Sequence, residues 1–296
     1  MTAFEERSTF VRTADGRRLQ ARSLRALGTM AESADAPGAL VMLESGLGVG
    51  GRFWGPVQRS LASTPGLTVM AYDRAGQGHS DVDPAPRTLD RLAGDLEAVV
   101  TATPHTQLVL VGHSWGGPVV RTLAARLLAR GLPPAGMVLV DPADENCELY
   151  FSPATRASGA LQDIAYLPLA VSGGLRRLMS AVLEELPDPD RAAAVRASST
   201  VRAAAATVAE NRVFTAQMRE LQANPPDMGD VPTTIISGTS SGPFEDGMRR
   251  ALNEAHRRSA QRLPRGRVVE ARRSGHMVPL DEPQLVVQEI LSLLPG

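Results

Sequence analysis

A serine flanked by glycines is the first feature of the sequence that could perform chemistry. Gly112-His113-Ser114-Trp115-Gly116 has the spacing G-x-S-x-G, which is typical of a serine on a sharp turn between a strand and a helix. The neighbours on such a turn must be small, because the strand and the helix nearly touch. A serine hydroxyl is a weak nucleophile unless a base removes its proton. The pattern therefore predicts nucleophilic catalysis at Ser114, provided that the chain supplies a base.

A second copy of the same pattern occurs at Gly238-Thr239-Ser240-Ser241-Gly242. Pro243 follows it, and too few strands come after it to complete a sheet. The first copy lies between the apolar run Leu108–Val111 and a long helical pattern that opens at Gly117. We therefore interpret the second copy as coincidence. The structural alternative for the first, a glycine turn of a nucleotide-binding fold, is disfavoured because the glycines do not fit G-x-G-x-x-G.

Five histidines could supply the base, and His276 is the one we favour. It lies in a loop after the last strand pattern and before the last helix pattern, where sites form in α/β sheets. His113 belongs to the serine turn itself and cannot easily fold back onto its neighbour. His256 lies in a helical pattern beside Arg257 and Arg258, and we expect it on a solvated face. His79 and His105 lie in a turn and a loop.

The elements that must position these residues are short apolar runs that alternate with helical patterns. Continuous apolar strands separated by helices predict an α/β protein with a mostly parallel, twisted central sheet and helices on both faces. Asp15-Gly16 between two strand-like segments predicts an antiparallel hairpin at the start of that sheet. The strand patterns are Ala39–Leu43, Leu67–Tyr72, Leu108–Val111, Met137–Val140, Thr233–Ile236 and Arg267–Glu270. The helical patterns are Trp54–Ser63, Leu89–Ala102, Gly117–Arg130, Asp246–Arg262 and Pro283–Leu294.

One region interrupts the alternation. Residues 148–230 contain no convincing strand pattern, are rich in Ala, Arg and Leu, and end near Pro225-Pro226. We interpret them as several helices inserted between two strands. Such an insert could add core packing or form a lid over a site. The predicted organisation is thus a core in two parts, residues 1–147 and 231–296, with a helical cap over residues 148–230.

Composition excludes several classes of function. The 296 residues carry a formal net charge of -1, which does not favour nucleic acid or an anionic membrane as a partner. Cys147 is the single cysteine, so neither an internal disulfide nor a cysteine-based metal cluster can form within one chain. The sequence has no lysine, which excludes a phosphate-binding P-loop lysine and a Schiff-base lysine. We expect no metal and no cofactor.

The N-terminal sequence has neither the basic stretch nor the apolar run of a secretory signal. The longest apolar runs are far shorter than the roughly 20 residues that span a bilayer. We therefore expect a cytoplasmic protein without a membrane span. The sequence leaves the oligomeric state open.

Four motifs, in this order along the chain, resemble those of the α/β-hydrolase family. Leu43–Gly48 resembles its oxyanion loop, and Tyr72–Ser80 resembles its D-x-x-G-x-G-x-S loop. Gly112–Gly117 resembles its nucleophile elbow. Ser274-Gly275-His276 with Asp281-Glu282-Pro283 resembles its histidine loop and the start of its last helix. The resemblance covers nearly the whole chain and implies the α/β-hydrolase fold with a helical cap.

The resemblance also implies roles. Ser114 would attack a carbonyl, and His276 would take its proton and later give it to the leaving group. The backbone N–H groups of Leu47 and Trp115 would hold the oxyanion. The family often has His where this chain has Ser45, so the side-chain support of that loop is lost and we expect the loop to be held differently.

The acid of the triad is less evident from the motifs. Its usual place in the family falls near Ser241, which cannot orient an imidazole as a carboxylate does. Some family members carry the acid after the preceding strand, which here gives Asp141. We favour Asp141 as the acid, with Glu245 and Asp246 as the alternatives. If Asp141 is not catalytic, it is an N-cap or turn residue before Pro142.

The acidic and basic residues of the second motif have a structural interpretation. We expect Asp73 and Arg74 to organise their turn through an ion pair with each other rather than to contact substrate.

These residues predict a serine hydrolase that cleaves an ester, thioester or related acyl bond of a small, apolar molecule. A serine at the elbow excludes the epoxide hydrolase and haloalkane dehalogenase branches, which use Asp there. The same triad could serve C–C bond hydrolysis, aminopeptidase or lyase chemistry. A ligand-binding receptor with little turnover and a structural protein on the hydrolase fold are two further hypotheses that the sequence leaves open.

Overall fold

One mixed sheet organises the computed structural model, which describes residues 4–26, 38–242 and 246–294. Within these ranges eight strands lie in the order β1-β2-β4-β3-β5-β6-β7-β8. They are β1 Phe4–Arg12, β2 Arg18–Ala26, β3 Ala39–Glu44, β4 Leu67–Tyr72, β5 Gln107–His113, β6 Gly136–Val140, β7 Thr233–Gly238 and β8 Gly266–Ala271.

The first two strands are antiparallel and the rest of the sheet is parallel. β1 pairs with β2 in the predicted hairpin, and β2 then pairs antiparallel with β4. From β4 to β8 each neighbour is parallel. The carboxyl ends of these parallel strands therefore meet at one edge, where sites form in open α/β sheets.

Helices cover both faces of the sheet. Along β3, Leu40 and Met42 pack on one face and Val41 and Leu43 on the other. The first face is covered by α2 Leu89–Thr101, α3 Gly116–Ala129 and α8 Asp246–Arg262, and the second by α1 Gly55–Leu61 and α10 Pro283–Leu291. Because both faces are buried, these strands are continuously apolar, which confirms the predicted α/β class.

Four helices lie between β6 and β7, with no strand among the residues described there. They are α4 Pro153–Ser172, α5 Gly174–Val182, α6 Asp190–Ser198 and α7 Val201–Ala223. α7 buries Ala203, Ala204 and Met218, whereas no residue of α4 is buried. A four-residue helix, α9 Val278–Asp281, precedes α10. The division of the chain into core and cap stays a prediction.

No helix in the described ranges is long and apolar enough to cross a membrane.

Candidate active site

The serine turn joins β5 to α3, and its backbone leaves no room for a side chain at the two glycines of the motif. Ser114 has φ 52°, in the left-handed region that residues other than glycine seldom occupy. A Cβ on Gly112 would lie 2.4 Å from the carbonyl oxygen of Gly116, and one on Gly116 would lie 2.6 Å from that of Glu44. The glycines of the motif are thus required by close backbone approach, and the turn presents Ser114 at the carboxyl edge of the sheet.

The structure brings Ser114, His276 and Asp141 into one hydrogen-bonded line. His276 Nε2 lies 3.0 Å from Ser114 Oγ, and His276 Nδ1 lies 2.7 Å from Asp141 Oδ2. Asp141 directly follows β6 and has φ 41°, so two members of the line have unusual backbone conformations. Asp246, one alternative acid, bonds to Ser241 instead. Glu245, the other, lies outside the described residues.

Asp141 is fully buried but well supplied with donors. Its Oδ1 accepts from the N–H of Gly238 at 3.0 Å and from Arg249 Nη1 at 2.6 Å, and its Oδ2 accepts from Arg249 Nη2 at 3.0 Å. Burial opposes the ionised form, but the hydrogen bonds from His276 and Arg249 outweigh it and hold the pKa of Asp141 well below its usual range. The carboxylate is therefore charged throughout the physiological pH range.

The loop from Ser45 to Leu47 lies against the serine. A Cβ on Gly46 would lie 3.0 Å from His113 Nδ1 and 3.1 Å from Ser114 Cβ, which is closer than Cβ atoms usually approach other atoms. Trp115 is the residue before α3, where helix N–H groups are unpaired and the dipole is positive. Among the described residues, neither the N–H of Trp115 nor that of Leu47 donates to another protein group. The amide of Trp115 follows Ser114 in the chain, and that of Leu47 follows Gly46, which lies against Ser114.

The side chain of Arg74 binds the backbone carbonyls of this loop. Its Nη2 donates to the carbonyl of Ser45, and its Nη1 lies 3.4 Å from the carbonyl oxygen of Gly46. Its Nε donates to Glu44 at 2.6 Å, and Nη1 donates to Glu210 of α7 at 2.6 Å. Burial opposes the charge of Arg74, but Glu210 and Glu44 keep its pKa above its usual value. Thus a buried guanidinium supports the loop in which Ser45 replaces the family's histidine.

The prediction that Asp73 and Arg74 form an ion pair with each other was wrong. Asp73 instead accepts from the N–H of Gly51 at 2.8 Å and pairs with Arg22 at 3.5 Å. The two neighbours therefore pair with different partners, since Arg74 bonds to Glu44 and Glu210.

Comparison with known proteins decides the family. A model of the alpha/beta hydrolase family matches residues 40–289. The chain belongs to this family. An AB hydrolase superfamily protein of Gibberella zeae is 26% identical over 85% of this chain and 84% of its own length. RutD of Caulobacter segnis is 37% identical over a shorter segment, which covers 29% of this chain and 32% of RutD.

Solved structures of low identity share the fold. An esterase from Exiguobacterium antarcticum superposes with a TM-score of 0.69 at 17% identity, over 97% of this chain and 98% of its own. An enol-lactonase from Burkholderia xenovorans LB400 superposes with a TM-score of 0.64 at 19% identity, over 96% and 99%. At these identities the similarity concerns the fold of this alpha/beta hydrolase and not its substrate.

His113 contacts the backbone of His276. Its Nε2 lies 2.8 Å from the carbonyl oxygen of His276, which can only accept, so Nε2 carries the proton. Burial, with a smaller effect of His276, lowers the pKa of His113 to about 3. A neutral His113 thus donates to the histidine loop, while its ring lies 4.8 Å from the ring of His276.

His256 is buried, so its predicted solvated position was wrong. Its Nε2 lies 2.9 Å from the carbonyl oxygen of Pro142, and its Nδ1 lies 2.7 Å from Ser237 Oγ. The helical pattern of α8 places His256 on the face that packs on the sheet, despite its arginine neighbours. The imidazole therefore joins α8 to the turn that carries Asp141.

Side chains from the inserted helices lie over the serine turn. The ring of Phe214 in α7 lies 5.0 Å from that of Trp115, and Tyr150 packs edge-on against Phe214 at 5.2 Å. A Cβ on Gly48 would lie 3.3 Å from Thr207 of α7. These contacts join the inserted helices to the serine turn and to the loop after β3.

A cavity of about 390 Å³ lies beside β6 and α8. Its charged lining residues include Arg121, Glu145 and Arg262, and Arg121 pairs with Glu145 at 2.7 Å. It is lined by none of Ser114, His276 and Asp141. Within the described ranges, no three His, Cys, Asp or Glu side chains are grouped so that they could hold a metal ion.

Sequence reasoning missed three residues that contact the candidate site. Arg249 binds Asp141, His113 binds the backbone of His276, and Arg74 binds the oxyanion loop. The D-x-x-G-x-G-x-S motif pointed to the Arg74 turn, but not to what Arg74 contacts. Nothing in the sequence marks Arg249, which lies 108 residues from its partner.

Proposed function

We propose that this chain is a serine hydrolase that cleaves an ester, thioester or related acyl bond of a small, apolar molecule. The observation that carries the proposal is the hydrogen-bonded line from Asp141 through His276 to Ser114 at the carboxyl edge of the sheet. Nucleophile, base and orienting acid in this arrangement are the groups that nucleophilic acyl transfer requires.

In the first half-reaction Ser114 Oγ attacks the carbonyl carbon while His276 Nε2 takes the hydroxyl proton. The imidazolium that forms is stabilised by the buried carboxylate of Asp141. The negative oxygen of the tetrahedral intermediate accepts from the N–H groups of Leu47 and Trp115, which are preorganised by the loop and the helix. Collapse breaks the bond to the leaving group, which receives the proton from His276, and leaves the acyl group on Ser114.

In the second half-reaction water replaces the leaving group. His276 takes a proton from the water as its oxygen attacks the acyl carbon, and the same two amides hold the second oxyanion. Ser114 then leaves with the proton from His276, and a carboxylic acid is released. Trp115 follows Ser114 directly and packs against Phe214, which packs against Tyr150; these apolar surroundings of the serine turn support a preference for an apolar substrate.

Labelling with a fluorophosphonate probe tests the proposal, since such a probe phosphonylates an activated serine. We expect intact mass to show one adduct on the wild type and none on S114A. S240A is the matched control, because Ser240 occupies the centre of the second G-x-S-x-G, and it should be labelled like the wild type. A folded wild type without an adduct would overturn the proposal in favour of a ligand-binding protein.

A substrate panel then separates the bond types. We expect turnover of aryl esters to rise from acetyl to longer acyl chains and to disappear in S114A. Thioesters and carbamates belong in the panel, the latter because the name of the partial relative RutD refers to carbamate hydrolysis. Turnover of a C–C or peptide substrate in preference to every ester would reassign the triad to one of those reactions.

A further inference from the structure

Arg249 of α8 forms a two-pronged ion pair with the acid of the candidate triad. Its Nη1 donates to Asp141 Oδ1 at 2.6 Å and its Nη2 donates to Asp141 Oδ2 at 3.0 Å. Nη1 also lies 3.2 Å from the carbonyl oxygen of Gly238 at the end of β7. The arginine is itself only 11% exposed. A planar fork held in this way fixes the plane of a carboxylate as well as its position.

The guanidinium and the imidazole share one oxygen. Asp141 Oδ2 accepts both from Arg249 Nη2 at 3.0 Å and from His276 Nδ1 at 2.7 Å. A positive charge so close to the ring disfavours a second positive charge on it. The charge of Asp141 acts in the opposite direction, and Arg249 offsets part of it. Arg249 therefore weakens the attraction of Asp141 for a charged imidazole, and the neutral imidazole is the form able to take a proton.

We propose that Arg249 is a positioning residue of the triad, one that orients the Asp141 carboxylate and keeps His276 competent as a base towards lower pH. The inference rests on the proposed function, because it assigns Arg249 a role in that same reaction. Arg249 contacts neither Ser114 nor, on this geometry, the reacting atoms. It acts through Asp141 alone.

Three other titratable side chains, those of His113, His256 and Tyr150, lie around Asp141 and His276. His113 faces His276 from the end of β5 and is neutral near pH 7, since burial lowers its pKa to about 3. His256 bonds to the Pro142 carbonyl behind Asp141. Burial raises the pKa of Tyr150, which lies near both Asp141 and Arg249, above its usual value. Among the described residues, Arg249 is therefore the permanently charged cation paired with Asp141.

The pH dependence of fluorophosphonate labelling tests the inference without a known substrate. In R249Q we expect the pH of half-maximal labelling rate to rise by roughly one unit, because the charge that disfavours the imidazolium is gone. The plateau rate should also fall, by about threefold or more, because the carboxylate loses its fork. Asp141 keeps its bonds from Gly238 and His276 in this variant, which favours folding.

Two further variants separate charge from geometry. R250Q removes the same charge from the adjacent, exposed residue and should leave both midpoint and plateau unchanged. R249K keeps the charge but loses the fork, so its midpoint should stay near that of the wild type while its plateau falls. A midpoint of R249Q equal to that of R250Q would overturn the electrostatic role.

The outcomes remain separable if a variant fails. Should R249Q not fold, R249K decides the positioning role, and a plateau equal to that of the wild type would overturn it. A wild type that is never labelled would contradict the proposed function itself. A labelled wild type with unchanged Arg249 variants would contradict only the inference.

Discussion

At the scale of single residues, the candidate site contains two buried titratable groups, of which one keeps its charge and the other does not. Asp141 stays ionised because hydrogen bonds from His276 and Arg249 outweigh the cost of burial. His113 stays neutral because burial, with the nearby His276, lowers its pKa to about 3. Near pH 7 Asp141 is thus charged and His113 is neutral. In the proposed reaction cycle, His276 is therefore the group that gains and loses a proton.

Replacing the acid by its amide tests this division of roles. D141N should lower the labelling rate by about three to four orders of magnitude, because an amide does not stabilise the imidazolium and can hold the ring in the wrong tautomer. The rate of adduct formation, followed by intact mass, measures the effect. D246N is the control and should match the wild type, since Asp246 bonds to Ser241. The reverse result, with D246N slow and D141N fast, would move the acid to Asp246.

At the scale of elements, the oxyanion loop after β3 is tied to α7 through one side chain. Arg74 bonds to the carbonyls of Ser45 and Gly46 on one side and to Glu210 on the other. The position of the amide of Leu47 therefore depends on a contact between the inserted helices and the sheet.

Shortening that side chain should misplace the loop. R74K keeps the charge but cannot reach four acceptors, so the labelling rate should fall by about 10- to 100-fold through loss of oxyanion alignment. R87K is the matched control, because Arg87 is equally buried and pairs with Asp83 and Glu210 without contacting the loop. Denaturant unfolding should show a similar loss of stability in both, about 1–3 kcal/mol. Equal labelling rates in R74K and R87K would show that Arg74 serves stability alone.

The same elements show what the sequence could and could not predict. β4 begins and ends at the predicted residues Leu67 and Tyr72, and α8 spans the predicted Asp246–Arg262. These elements are bounded by turns and buried on at least one face, so composition and spacing mark them directly. Within residues 148–230 only a set of helices could be predicted, because α4 buries no residue and its large apolar side chains, such as Ile164 and Val171, are exposed. The spacing of apolar residues therefore does not mark the face on which α4 packs.

Contacts between distant residues were beyond sequence reasoning for a different reason. The turn motifs predicted that Ser114 and His276 would share an edge, because the order of strands and loops places them there. Arg249 reaches Asp141 because α8 packs beside β7. The sequence does not specify which side chains of α8 face the end of that strand, so this contact could not be predicted. The burial of His256 follows from the same packing.

At the scale of the whole molecule, the buried neutral His113 makes stability depend on pH. Its pKa is about 3 in the folded protein against a usual value of 6.5. Between those values the unfolded chain binds a proton at this residue and the folded protein does not. Lowering the pH through this window therefore favours unfolding, and stability from this group is complete only above the unfolded value.

Replacing His113 by an uncharged residue that can still donate should remove this dependence. From pH 7 to pH 4.5 the wild type should lose about 2–3 kcal/mol more of its free energy of unfolding than H113Q, at roughly 1.4 kcal/mol per unit below the unfolded value. Urea unfolding at the two pH values measures both losses, so any fixed cost of the substitution cancels. H79Q, which changes an exposed histidine, should lose as much as the wild type. If H113Q and the wild type lose the same free energy, then His113 takes up a proton in the folded state, and its bond to the His276 carbonyl is not that of a permanently neutral ring.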